Sequence, residues 1–258
     1  MKEKTKKLIL LGLVTICFLA IFFFDPYPQR LIYHDFADQR PLFGIKNSFN
    51  VLSNIPFSIA GIWGFLYMKK YPVKIAWSSW LVCFMGVFLV GFGSGYYHDT
   101  PNNQTLIWDR LPLTIGFMGL FSALMTTYIS EKLEKFLLPI TVLFGAFSVI
   151  YWAQYDDLRF YFYVQAIPLI CIPFVIALFQ TQEIKKSYIG LALSFYVLAK
   201  VLEFTDDKIF NLTGGAMSGH TLKHLFAAAA PLVIAFMFKN LHHERSRVIK
   251  ANDAILCS

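Results

Sequence analysis

Apolar residues recur in eight runs, each close to the length of a membrane span, and no other feature constrains the fold as strongly. The runs are Leu8–Phe24, Phe49–Met68, Trp77–His98, Leu111–Ile129, Phe136–Trp152, Phe160–Phe179, Tyr188–Phe204 and Gly219–Phe238. A hydrocarbon core of about 30 Å takes roughly 20 residues of helix to cross. Backbone amides find no water there, so open strand edges are excluded, and the runs lack the alternation of a barrel strand. The expected fold class is all-α integral membrane. Composition agrees: of 258 residues, 57% are hydrophobic and only 15% charged, whereas a soluble domain carries about 25% charged residues. A soluble enzyme, a nucleic-acid binder and a disulfide-built secreted scaffold are all disfavoured, so no nucleic-acid partner is expected. Cys17, Cys83 and Cys171 fall inside apolar runs, and none of these or Cys257 has metal-ligand spacing. They read as buried apolar residues.

The net charge of +7 has a membrane explanation, because cytoplasmic loops collect Lys and Arg. With the N-terminus inside and alternating spans, one face receives Lys2, Lys4, Lys6, Lys7, Lys69, Lys70, Lys74, Lys132, Lys135, Lys185, Lys186, Lys239, Arg245, Arg247 and Lys250. The other receives only Arg30, Arg40, Lys46, Arg110, Arg159 and Lys208. This bias predicts an N-in, C-in multi-pass protein. The first run follows a Lys-rich start but has no small-residue cleavage site before Asp25-Pro26, so it reads as a retained anchor. The expected division is an anchor helix over 1–30, a helical domain over 31–240 and a basic cytoplasmic tail over 241–258.

Ionisable groups inside membrane helices cost free energy unless paired, and they mark function by default. Three segments carry them: Gly93-Ser94-Gly95-Tyr96-Tyr97-His98, Trp108-Asp109-Arg110-Leu111-Pro112 and Ser218-Gly219-His220-Thr221-Leu222-Lys223-His224. His220 and His224 are four apart and share a helix face, as do Ser94 and His98. The topology brings all three segments to the non-cytoplasmic side. Three His with an open position are the ligand set of a catalytic zinc, which lowers the pKa of bound water to about 7. Asp109 would then accept a proton and Ser94 would donate to a developing oxyanion. A second reading stands beside this one: interfacial histidines without a metal, and Asp109 as a helix N-cap. His34 reads as a surface residue of the outer loop, and Tyr96 and Tyr97 as interfacial anchors. Lys200 and Glu203, three apart, are expected to pair with each other, with Asp109 or with Lys223.

In this order, Ser94-x-x-x-His98, Asp109-Arg110-Leu111-Pro112 and His220-x-x-x-His224 resemble the motifs of the alkaline ceramidases, as does Asn50-Val51-Leu52-Ser53-Asn54-Ile55-Pro56-Phe57. Those enzymes belong to a seven-helix membrane hydrolase superfamily that includes the adiponectin receptors, and the chain looks like its prokaryotic ceramidase-like branch. The resemblance runs from about Asp35 to Lys239. It implies a seven-helix bundle behind one extra N-terminal transmembrane helix, eight in all. It also implies zinc on His98, His220 and His224, with Asp109 and Ser94 catalytic. The reaction implied is hydrolysis of an N-acyl sphingoid lipid, drawn from the membrane, to a fatty acid and a free amine.

The resemblance is broken in two places. The family's acidic calcium-binding stretch reads here Asp35-Phe36-Ala37-Asp38-Gln39-Arg40, with Asn47 near its later Glu. Arg40 beside Asp35 and Asp38 would stand in for the metal's charge, so weak or absent calcium binding is expected. Arg110 replaces the motif's Glu, a change expected to affect the mouth of the site. The expected function is a zinc-dependent membrane amidohydrolase acting on ceramide-like lipids, in a bacterial inner membrane with the site on the non-cytoplasmic side. The alternative is a receptor or sensor that keeps a structural zinc. Asp109 and Ser94 favour the enzyme, because a purely structural zinc is normally closed by four protein ligands. A transporter is disfavoured by the lack of an inverted repeat.

Overall fold

The structure, a computed structural model, describes residues 1–71 and 73–256, so Cys257 lies outside the described residues. The α-helices among the described residues are α1 (Glu3–Ala20), α2 (Ser48–Leu52), α3 (Ile55–Lys70), α4 (Trp77–Asp99), α5 (Asn103–Ile129), α6 (Glu134–Tyr155), α7 (Arg159–Leu178), α8 (Lys186–Phe204), α9 (Asp206–Leu212) and α10 (Gly219–Leu256). Among the described residues, eight segments are long and apolar enough to cross a membrane. The chain is therefore an all-α, multi-pass integral membrane protein, as the apolar runs predict. The only β pairing among the described residues is a single bridge between Leu42 and Ile45. Cys83 and Cys171 are buried and Cys17 is half-buried.

Helix α10 runs on past the expected end at Phe238 to Leu256, and α5 starts at Asn103 rather than Leu111. Asn102 accepts from the backbone N–H groups of Gln104 and Thr105 at 2.8 and 3.0 Å, and its own N–H donates to Thr105 Oγ1. This capping box is polar, so a search for apolar runs passes over it. Residues 100–102 are all that separate α4 from α5. Asp109 consequently lies about two turns inside a helix and is not an N-cap; Asn102 fills that role.

The pair α4–α5 forms the centre of the bundle. Helix α3 packs on α4, α10 closes against α3 and α8, and α6 and α7 cover α5. The apolar stretch of α5 is 67% buried, against 6% for that of α1, which touches mainly α7 and faces lipid. Large exposed apolar residues such as Ile62, Leu143, Ile150 and Val201 face the bilayer.

Small residues let α4 and α5 approach. In lipid, helices gain little from burying apolar surface against each other, so close backbone contact carries much of the attraction. A Cβ on Gly93 would lie 1.9 Å from the carbonyl oxygen of Trp108, and one on Gly86 would lie 2.4 Å from the backbone nitrogen of Gly116. Pro112 lies inside α5 and has no N–H to offer that Trp108 carbonyl, four residues earlier. The carbonyl faces Gly93 instead, and this contact helps set Asp109 on the same cavity wall as Ser94. Gly93→Ala should therefore lower stability by about 1–3 kcal/mol despite its better helix propensity. Gly12→Ala, with nothing within 4 Å of its new methyl, should leave it unchanged or higher. Thermal unfolding of both variants in detergent measures the difference.

Candidate metal centre

His98 comes from the last turn of α4, and His220 and His224 from the first turns of α10. All three are buried, and their ligating atoms lie within 4.8 Å of one another. The three ring centroids are mutually 4.8 Å apart. Nε2 of His98 and Nε2 of His220 are 3.3 Å apart. Two ligands bound to a tetrahedral zinc at about 2.0–2.1 Å would be separated by about this distance. Two neutral rings at that spacing can share one proton, but a third buried ring adds polar atoms that the pair cannot satisfy. A cation at the centre of the cluster fits this donor set, and zinc fits it by ligand type and number.

The surrounding residues aim the rings. Ser53 Oγ donates to the Asn50 carbonyl at 3.1 Å, so it accepts from His224 Nδ1 at 2.8 Å and leaves Nε2 free to bind. Asn47, in the left-handed region at φ 46°, donates from Nδ2 to the His98 carbonyl at 2.7 Å. The Asp206 carboxylate accepts from the His220 N–H at 2.7 Å and from the Ala37 N–H at 3.1 Å, joining the outer segment to the start of α10. Phe36 covers the outer side, its ring 4.7 Å from those of both His98 and His220.

The inner side opens on a cavity of about 260 Å³. Ser94, Asp109, Lys200, Glu203, Lys223 and His224 line its polar end, and Leu113, Leu124, Ile172, Ile189 and Ile234 are among the apolar walls. From Asp109 to Leu124 the cavity follows α5 for roughly 22 Å at 1.5 Å per residue. Glu203 pairs with both Lys200 and Lys223, the latter at 2.8 Å. Arg110 lines the cavity and is itself buried. Its guanidinium packs over Trp152 and Tyr161, 4.1 and 4.5 Å from the ring centroids, and Nη2 donates to Gln29 Oε1 at 2.6 Å.

The outer segment corrects other expectations. Asp38 and Arg40 meet in a bidentate pair at 2.7 and 2.8 Å, but Asp35 is held by Gln39 and Asn47 turns to His98. These four residues therefore do not converge on one point. His34 is no free surface residue: Asn103 Oδ1 accepts from its Nε2, and its Nδ1 accepts from the Tyr97 hydroxyl, both at 2.9 Å. Tyr97 is buried, whereas Tyr96 is exposed as an interfacial anchor would be. Ser53, Asn47 and Asp206 gave no signal as supports in the sequence, since each acts on a residue far along the chain. The Asn50–Phe57 segment was the one hint of Ser53.

Outer-shell partners of a metal-bound His typically contribute 10–100-fold to affinity. Ser53→Ala is expected to weaken zinc binding by about that factor, measured by chelator competition. Burial would raise the Asp38 carboxyl, but hydrogen bonds from the Arg40 side chain and backbone outweigh it and hold the group below its usual range. The folded pKa is depressed, so the pair's stabilisation is complete above the unfolded value of about 3.9 and is lost as pH falls through the folded value. Amide exchange over 36–42 should stay protected down to about pH 4 and loosen below it; Asp38→Asn should remove that pH dependence.

No curated protein sequence matches the chain. A family model described as Ceramidase matches residues 45–251, a stretch that contains all three histidines, Ser94 and Asp109. The chain belongs to the ceramidase family and is a membrane hydrolase of amide bonds.

Proposed function

We propose that the protein is a zinc-dependent amidohydrolase cleaving ceramide-like N-acyl lipids to a fatty acid and a free sphingoid base. The observation that carries this reading is the arrangement at the cavity's polar end. Of three clustered, buried imidazoles, His224 lines one long apolar chamber together with the Asp109 carboxylate and the Ser94 hydroxyl. Zinc held by His98, His220 and His224 supplies Lewis acidity, which polarises a carbonyl and activates water near neutral pH.

The protein's own groups complete the chemistry. Asp109 accepts the proton of the attacking water and returns it to the amide nitrogen as the C–N bond breaks. Ser94 donates a hydrogen bond to the carbonyl oxygen as it gains charge. The acyl chain lies along the apolar wall between Leu113 and Leu124. Helices α7 and α8 are consecutive but do not pack along each other among the described residues, although both line the cavity. This open flank supports lateral entry of a lipid substrate.

The basic residues at the end opposite the histidines support an N-in, C-in orientation in a bacterial inner membrane, with hydrolysis near the non-cytoplasmic leaflet. The chain divides into an anchor helix over 1–30, a helical domain over 31–240 and a basic tail over 241–258 that continues α10 as far as Leu256, and the Arg40–Asp38 pair is a built-in cation where calcium would otherwise bind.

The test is metal analysis of the purified full chain together with turnover of a fluorescent ceramide. Wild type should carry one zinc per chain and release labelled fatty acid. Asp109→Ala should keep zinc and lose about 10²–10⁴-fold in rate, and His220→Ala should lose zinc. Zinc without turnover of any N-acyl lipid would reassign the site to a receptor; absence of zinc would defeat both readings.

A further inference from the structure

Lys223 has no role in the scheme so far. It follows His220 by three residues and precedes His224, and its side chain faces the cavity. Its Nζ lies 3.3 Å from His220 Nε2, the same separation as that between His98 Nε2 and His220 Nε2. Glu203 Oε1 accepts from Nζ at 2.8 Å, and the other Glu203 oxygen accepts from Lys200. Two ammonium groups thus share one carboxylate at the polar end of the chamber. The Lys223 and Glu203 side chains are only 19% and 14% exposed, so this charge is weakly screened by water.

An ammonium in this position works against metal binding, because like charges repel strongly where water is scarce. A site built only to hold a metal would be better off with an apolar residue there. The arrangement becomes favourable once an anionic oxygen lies between the ammonium and the imidazole cluster. In amide hydrolysis that oxygen is the former carbonyl oxygen.

We propose that Lys223, held in place by Glu203 and Lys200, is a further catalytic residue that donates a hydrogen bond to the amide carbonyl oxygen as it becomes an oxyanion, and then holds the product carboxylate. The proposal rests on the amidohydrolase reading above. Water oxygen bonds to the carbonyl carbon and its proton goes to Asp109. The carbonyl π pair moves onto oxygen, to which Lys223 Nζ–H and Ser94 Oγ–H donate hydrogen bonds. The pair then re-forms the C=O bond, the C–N bond breaks, and nitrogen takes the proton from Asp109. The carboxylic acid passes its remaining acidic proton to the free amine. The resulting carboxylate pairs with Lys223, and no other reactant is needed.

The experiment compares wild type, Lys223→Met, Lys223→Gln and Lys223→Arg as full-length zinc-loaded protein. Zinc affinity is read by chelator competition, and kcat and KM from ceramide hydrolysis. Lys223→Met should hold zinc at least as tightly as wild type, keep KM within about threefold and lose about 10²-fold in kcat, with Lys223→Arg recovering about tenfold of that loss. If the Met variant does not fold, Lys223→Gln, which can still hydrogen-bond Glu203, is judged by the same criteria. A neutral variant with wild-type kcat overturns the proposal, as does one that loses zinc affinity and activity together. An active wild type beside an equally active neutral variant removes Lys223 alone. A zinc-loaded wild type that hydrolyses no N-acyl lipid removes the amidohydrolase reading and this role with it.

Discussion

Three imidazoles buried within 4.8 Å of each other cannot satisfy one another's polar atoms, and the outer end of this bundle is arranged around that constraint. A neutral ring offers one donor and one acceptor, and burying either without a partner is costly. Ser53 takes up the Nδ1 of His224, while Asn47 and Asp206 fix the backbones of His98 and His220. What is left is the Nε2 of His98 and that of His220 facing each other at 3.3 Å, with the Lys223 ammonium at the same distance from His220 Nε2, and a shared cation fits the imidazole nitrogens. The supports come from α9, from the outer segment and from the residues around α2. The centre therefore also fastens together parts of the chain that lie far apart in sequence.

The same end depends on backbone contact between α4 and α5. Because Gly93 has no side chain, the Trp108 carbonyl can reach it, and because Pro112 has no N–H, that carbonyl is free to do so. Asp109 follows Trp108 directly, so the contact that joins the helices also positions the carboxylate. Helix packing and chemistry are coupled here through one residue step.

The architecture was legible because membrane solvation acts on whole segments. Some twenty apolar residues must be helical whatever their neighbours are, and the eight runs needed no tertiary information. The histidines were legible from i, i+4 spacing and from the side of the membrane on which each helix ends. The start of α5 was not, since Asn102 and Thr105 extend the helix through polar hydrogen bonds that hydropathy cannot register. The surroundings of Arg110 were hidden for a related reason. The sequence places it beside Asp109, near the site, but the cage made of Trp152 and Tyr161 from two other helices, with Gln29 from the outer segment, forms only in three dimensions. The caged cation is a product of tertiary structure alone. The Asp38–Arg40 pair was half legible: two residues of separation made the contact plausible, but the turning of Asn47 to His98 depends on a left-handed backbone at that residue.

The two sides of the imidazole cluster are unequal, and this bears on whether a metal there is structural or catalytic. A structural site is normally closed by a fourth protein ligand. Here Phe36 covers the side facing outward, while the side facing the membrane interior meets Asp109, Ser94 and Lys223 at the head of an apolar chamber. A lipid whose tails remain among Leu113, Leu124 and Ile234 would bring only its polar linkage to that head. Water has to reach the same point, and the half-exposed Lys200, its side chain 40% accessible, marks a polar edge from which it can enter. Hydrolysis of a membrane lipid needs this junction of hydrocarbon and water, whereas a metal serving only to brace helices would be more stable with both excluded.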